Sequence, residues 1–189
     1  MCGITSSKGI RLILLLGCFF LLTACGNSRS PVYIDKNNIY EVRKVAVFPF
    51  GNLSKNPQAR EIVTRIFLAE LSKKGLFELE ESGNIIDFMV EQKIRVGASI
   101  SKPELFLLKR RYNIDAVIFG DILVFEQMGE APRISLSVRM VKIDTDRIVW
   151  KANIERDGYD YIKILNIGQL RSLNQLTSVV TRELVETIQ

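Results

Sequence analysis

Tyr112-Asn113-Ile114-Asp115-Ala116-Val117-Ile118-Phe119-Gly120-Asp121-Ile122-Leu123-Val124-Phe125 is the stretch on which the fold turns. Ala116, Val117, Ile118 and Phe119 are apolar without alternation. A half-exposed strand alternates, so this run predicts a central strand covered on both faces. Gly120-Asp121 interrupts it, and Ile122 to Phe125 continue it. Further on the pattern changes. Ile134, Leu136, Val138 and Met140 alternate with Ser135, Ser137 and Arg139, which predicts one apolar and one polar strand face. Asp144-Thr145-Asp146 has turn chemistry. Ile148, Trp150, Ala152 and Ile154 then alternate with Val149, Lys151, Asn153 and Glu155. These three strands predict an antiparallel meander.

Ahead of that run, Lys44-Val45-Ala46-Val47-Phe48-Pro49-Phe50 is β-branched and aromatic. It predicts a strand that Pro49 limits near its end. Gly51-Asn52-Leu53-Ser54-Lys55 follows as a loop, and Asn56-Pro57 has N-cap and N1 character. The helix it opens carries Ile62, Val63, Ile66, Phe67 and Leu71 on one face, and Lys73-Lys74-Gly75 closes it. Leu76-Phe77-Glu78-Leu79-Glu80 predicts a short second strand. A second helix over about residues 84–94 turns Ile85, Ile86, Met89 and Val90 inward. Ser101-Lys102-Pro103-Glu104 matches a capping box and starts a third helix through Leu105, Leu108 and Tyr112, with Asn113 as its stop. Residues 157–167 read as loop, with Tyr161-Ile162-Lys163 as a candidate short strand. A C-terminal helix over about residues 168–187 places Leu170, Leu173, Leu176, Val180, Leu184 and Ile188 at helical spacing. The order β-α-β-α-α-β-β-β-α predicts an α/β fold, a mixed β-sheet with helices packed on it.

The chain has 189 residues, 26 Lys+Arg, 21 Asp+Glu, no His and three Cys. Without His there is no Ser-His or Cys-His nucleophilic pair, no imidazole base and no His-ligated metal. Cys2, Cys18 and Cys25 all lie in the first 25 residues, so residues 26–189 hold no disulfide, zinc knuckle or reactive thiol.

The N-terminus reads as an address. Lys8 and Arg11 precede the apolar run Leu12-Ile13-Leu14-Leu15-Leu16-Gly17-Cys18-Phe19-Phe20-Leu21-Leu22. As a helix this run rises only ~16 Å, against a hydrocarbon core of ~30 Å. That suits a signal-peptide core, not a permanent span. It ends in Leu22-Thr23-Ala24-Cys25, which resembles the bacterial lipobox. The resemblance implies cleavage between Ala24 and Cys25, with lipid on the Cys25 sulfur and acylation of its freed amine. A generic signal peptide or a stop-transfer segment that happens to end in Cys is the competing reading. Two or three acyl chains give stable anchoring where one is marginal. Gly26, not Asp, follows Cys25, and lipoproteins of that kind tend to be sorted to the outer membrane. The expected organisation is residues 1–24 as lipoprotein signal peptide, 25–43 as lipidated Cys25 and tether, and 44–189 as the folded domain. Loss of Lys8 and Arg11 lowers the net charge from +5 to +3, too mild for a nucleic-acid signature.

Several motifs invite sharper chemistry. Gly51-Asn52-Leu53-Ser54-Lys55 sits between strand and helix but lacks phosphate-loop spacing. Asp115 and Asp121 bracket one strand ~20 Å apart when extended, too far for a carboxylate pair. Asp144 and Asp146 read as turn residues, and Lys109-Arg110-Arg111 as the cationic last turn of a helix. No catalytic residue, metal, cofactor, nucleic acid or small-molecule substrate is therefore expected. Glu91 and Gln92 on the second helix, and Leu173, Leu176 and Val180 on the C-terminal helix, are the candidate partner-binding residues. For the C-terminal helix, packing on its own sheet competes with groove binding or homo-oligomerisation.

Four separated stretches share one pattern. They are Val45 to Phe50 with Asn52; Glu91-Gln92; Tyr112 to Ile122; and Val138-Arg139-Met140-Val141-Lys142-Ile143-Asp144-Thr145-Asp146 with Ile148-Val149-Trp150. Together they resemble the curli secretion-channel (CsgG-like) lipoprotein superfamily, which includes LpoB-like activators of penicillin-binding proteins and holdfast-anchor lipoproteins. Asp146 departs from the family's usual Gly. Channel members build a multimeric β-barrel from inserted hairpins, and a membrane strand needs ~9–11 residues. Residues 126–133 and 95–100 are too short for such strand pairs, so a short form without a pore is expected. The resemblance implies a non-catalytic, lipid-anchored periplasmic module that binds envelope proteins during envelope or surface-structure assembly. A subunit or accessory ring component of a secretion channel is the alternative.

Overall fold

The structure, a computed structural model, describes residues 31–162 and 167–188. The signal segment, Ala24, Cys25 and Lys163 lie outside the described residues. The elements are β1 (Val32–Ile34), α1 (Lys36–Ile39), β2 (Lys44–Val47), β3 (Gly51–Asn52), α2 (Ala59–Lys74), β4 (Glu78–Leu79), α3 (Ser82–Glu91), α4 (Lys102–Tyr112), β5 (Ala116–Met128), β6 (Ala131–Lys142), β7 (Arg147–Asp157) and α5 (Leu173–Glu186). The sheet runs β1-β7-β6-β5-β2-β4, with β3 beside β5. β2 and β3 lie parallel to β5, and β4 parallel to β2. The β5, β6 and β7 strands form the expected antiparallel meander, and β1 is antiparallel to β7. The fold is α/β, with a mixed sheet and helices packed on it.

The central position of β5 follows from its composition. Ala116, Ile118, Ile122 and Phe125 enter the main core, while Val117 enters a second core on the opposite face. On the main face, α2 contributes Val63, Phe67 and Leu71, and α5 contributes Leu176, Val180, Leu184 and Val185. On the other face, Ile85, Phe88, Met89, Leu105 and Leu108 from α3 and α4 cover Ala46, Phe48, Val117 and Val141. Each such fully buried side chain contributes roughly 1.5–3 kcal/mol. The helix ends follow their local chemistry. Gly75 closes α2 in the left-handed region at φ 66°. The Ser101–Glu104 capping box opens α4, and Asn113 ends it at φ 55°.

The structure corrects several sequence expectations. The fold begins at β1 and α1, inside the stretch expected as tether. Asp35 holds this segment: its N–H donates to the Val149 carbonyl at 2.8 Å, and its carboxylate caps α1. Ile39 and Val42 are buried. Elements of three and four residues are too short to show a period. On α3 the buried stripe is Ile85, Phe88 and Met89, while Ile86 and Val90 face solvent. In β7, a register shift opposite Met140 and Val141 puts both Val149 and Trp150 in the core and Ile148 outside. The described part of the candidate strand at residues 161–163 is a turn ending, where the Tyr161 hydroxyl donates to Glu183 at 2.7 Å. Burial, then the Glu183 carboxylate, pushes the Tyr161 hydroxyl far above its usual range.

Gly120 explains the break in the β5 run. The Phe50 ring lies where its side chain would project, 2.5 Å from an added Cβ, and Phe50 in turn packs on Phe67 with ring centroids 5.1 Å apart. Gly120→Ala is expected to cost about 1–3 kcal/mol, as overpacking does in a tight core. Urea unfolding checks this: the midpoint falls with the slope unchanged.

Candidate interaction surface

The two faces of the sheet are covered unequally. α2 and α5 close the main face, whereas α3 and α4 cover the other face only over β2, the start of β5 and the end of β6. Beyond them the remaining part of β5, β6 and β7 presents a polar face. Register places Phe119, Arg139 and Lys151 in one row, Asp121, Ser137 and Asn153 in the next, and Val124, Ser135 and Glu155 in the third. Its side chains are tied to one another. Arg139 lies 5.2 Å from the Phe119 ring centre and 3.7 Å from Asp121. Ser137 bonds Asn153 at 2.7 Å, and Arg133 pairs with Glu155. Each exposed pair contributes little to stability, so these ties organise the surface more than they hold the fold.

Where the covered and open halves meet there is a small cleft of about 50 Å³, lined by Phe48, Met89, Arg95, Gly97, Phe119 and Arg139 among others. The Gly97 and Gly51 backbones approach closely there: a Cβ on Gly97 would sit 3.5 Å from the Gly51 Cα. A volume of this size holds a water molecule or two, not a metabolite.

The carboxylates singled out from sequence have structural partners. Asp115 accepts from the Arg43 and Lys44 N–H groups at 2.9 and 3.0 Å, and so fixes the start of β2 against β5. Asp144 pairs with Lys109, and Asp146 with Lys102 at 2.9 Å, which docks the β6–β7 turn on α4. Among the described residues no group of three carboxylates could hold a metal ion. The loop at residues 51–55 is closed by its own polar groups. Asn52 accepts from the Ser54 N–H at 3.0 Å and donates to the Asn56 carbonyl at 2.7 Å.

Glu91 is exposed and bonds Arg111 through both carboxylate oxygens, tying α3 to α4. The Arg111 hydrogen bond holds the Glu91 carboxyl below its usual range. Gln92 is half-buried at the end of α3. Leu176 and Val180 are fully buried in the protein's own main core, and Leu173 packs half-buried against it. That face of α5 is spent on the sheet, the one of its two expected roles that helical spacing alone left open. Sequence reasoning missed the open half-sheet as a surface, although the polar positions Ser137, Arg139, Lys151 and Asn153 were legible as one strand face. What it lacked was the reach of α3 and α4.

No protein-family model matches the chain, and no curated protein matches it in sequence. Solved structures do resemble it. The PelC dodecamer from Paraburkholderia phytofirmans superposes with a TM-score of 0.60 at 14% identity, over 85% of this chain and 96% of that one. The chain shares that fold. Lipoprotein GNA1162 from Neisseria meningitidis gives a TM-score of 0.55 at 13% identity, over 76% of this chain and 99% of the other. The LpoB C-terminal domain from Salmonella enterica is looser, with a TM-score of 0.46 at 13% identity, over 60% and 82% of the two chains. At these identities the likeness is one of fold.

An ionic cluster around the buried Glu80 gives the covered half a pH signature. Lys44 Nζ lies 3.0 Å from Glu78 and 2.9 Å from Glu80, and Asn84 donates to Glu80 at 2.6 Å. Burial pushes the Glu80 carboxyl up, but the Asn84 and Lys44 bonds outweigh it and hold the group below its ordinary 4.5. A lowered carboxyl contributes stability above the unfolded value and loses it as pH falls through the folded one. Glu80→Gln is therefore expected to flatten the fall in urea midpoint below pH 4.5 relative to the parent chain.

Proposed function

We propose that the chain is a lipid-anchored, non-catalytic lipoprotein of the bacterial envelope, a short CsgG-like module that works by binding other proteins. The observation that carries this reading is a conjunction. The lipobox-like Leu22-Thr23-Ala24-Cys25 precedes a domain whose fold is shared with lipoprotein GNA1162. The four motif stretches support membership of the curli-secretion superfamily, and Gly26 after Cys25 supports outer-membrane sorting toward the periplasm. Cys25 takes the lipid, and Ala24-Cys25 is the cleavage point. Among the described residues no helix is long and apolar enough to cross a membrane, so the acyl chains carry the attachment in this reading. The open half-sheet offers the partner surface, and Glu91 and Gln92 flank the covered half. The lack of His, which removes imidazole acid–base and nucleophile-activating chemistry, supports a binding role over a catalytic one.

A second reading is a subunit or accessory ring of an export complex. It is favoured by one finding, that the PelC relative in fold is a dodecamer. Under it, copies of this chain associate with each other. Gly129 and Glu130 alone join β5 to β6, so no inserted strand pair lies in that hairpin.

Cys25→Ala tests the main reading. The variant is expected to lose incorporation of labelled fatty acid and to leave the membrane fraction for the soluble one. Membrane association that persists in a chain carrying no lipid contradicts it.

A further inference from the structure

The direction of the first strand limits where a lipid on Cys25 can reach. β1 runs antiparallel to β7, with Val32 opposite Ala152 and Ile34 opposite Trp150. The Asn153 N–H donates to the Pro31 carbonyl at 3.3 Å. Followed backward, the chain therefore leaves the sheet at the level of Asn153, heading toward the end of β7 at Asp157. Asn153 lies opposite Ser137, and β6 begins six residues further at Ala131. That places the β5–β6 turn about 20 Å ahead of Pro31. Cys25 lies six residues before Pro31, a span of at most about 22 Å. The opposite pole, at Arg147, is also about 20 Å from Asn153, but the chain points away from it. A reversal takes at least two residues, and the four left reach only about 14 Å.

The pole so reached carries exposed apolar side chains among its polar ones. Met128, at the β5–β6 turn, is 57% exposed, and Tyr159 is 51% exposed. The two are held on one platform. The Gly158 N–H donates to the Pro132 carbonyl at 2.9 Å, the Leu170 N–H donates to the Gly158 carbonyl at 3.0 Å, and Pro132 pairs with Gln127 beside Met128. Gly158 has no room for a side chain, since an added Cβ would lie 2.0 Å from the Leu170 carbonyl oxygen. Ile167, also exposed, lies three residues before Leu170. An exposed methionine and an amphipathic tyrosine at one end suit the boundary between headgroups and acyl chains.

We propose that this pole lies on the lipid surface, with Met128 and Tyr159 seated among the headgroups. The proposal rests on lipidation of Cys25. Glu126, Glu130, Asp157 and Asp160 outnumber Arg133 and Arg156 at this end, and the two arginines pair with Glu155 and Glu183, so the contact rests on its apolar side chains and gains nothing from anionic lipid. The domain then stands upright, with the β6–β7 turn and the start of β5 farthest from the bilayer and the open half-sheet facing sideways.

The test uses the full chain made in bacterial membranes. Lipidation blocks Cys25 and signal cleavage removes Cys2 and Cys18, so an introduced cysteine is the sole free thiol. Met128→Cys, Tyr159→Cys and Thr145→Cys proteins carry a fluorescent label in vesicles of phosphatidylethanolamine with a minor share of phosphatidylglycerol. A quencher attached to the lipid headgroup is expected to dim the labels at positions 128 and 159 about threefold more than at 145. Equal quenching at all three positions, or stronger quenching at 145, in a chain that carries lipid overturns the orientation alone. Absence of lipid on Cys25 overturns the anchor and the orientation together.

Discussion

The structure depends on one constraint: the first residues of β5 must be buried on both sides. Ala116 and Ile118 need the α2–α5 layer, and Val117 needs the α3–α4 layer. Parallel pairing with β2 places Val45, Ala46 and Val47 beside the same three residues and doubles the apolar width on each face. Asp115 makes the register specific, because its carboxylate takes the Arg43 and Lys44 N–H groups just where β2 begins. A slip by one residue would swap side chains between the two packed layers and leave these donors without their acceptor.

Everything outside that closed centre is asymmetric. α5 is long enough to cover the meander on one face, down to the Thr187 hydroxyl that accepts from Trp150 Nε1 at 3.0 Å. α3 and α4 stop short on the other. Among the described residues the result is a sheet with one polar half-face uncovered, an edge strand at β1, and a cleft of water size between the covered and open halves. Such an arrangement positions polar groups for contact, which fits the partner-binding role proposed above.

How much of this was legible in the sequence depended on segment length and on what local pattern encodes. The unbroken Ala116 to Phe119 run and the alternation in β6 were decisive, because burial on two faces or one leaves different periods. The capping box at Ser101 and the left-handed stop at Asn113 were local enough to be exact to the residue or nearly so. β1 and α1 were not legible, since their stability comes from Asp35 bonding Val149 far along the chain. The Ile148 error arose from a bulge, which inverts parity without a marker in composition. Glu91 was picked out as a surface residue, but its pairing with Arg111 is a tertiary fact. Leu176 and Val180 showed only that α5 has an apolar side; which surface takes that side is settled by the sheet.

In the proposed role, the open half-sheet of a membrane-tethered module meets other proteins. This contact is tested most directly by photocrosslinking in intact cells, with a photoreactive amino acid at Lys151 or Asn153 and, as controls, at Glu61 or Arg65 on the outer side of α2. Protein adducts are expected from positions 151 and 153 and none from the α2 positions, with adduct mass separating a second copy of the chain from another envelope protein. Adducts confined to α2, or none at any of the four positions, would contradict it.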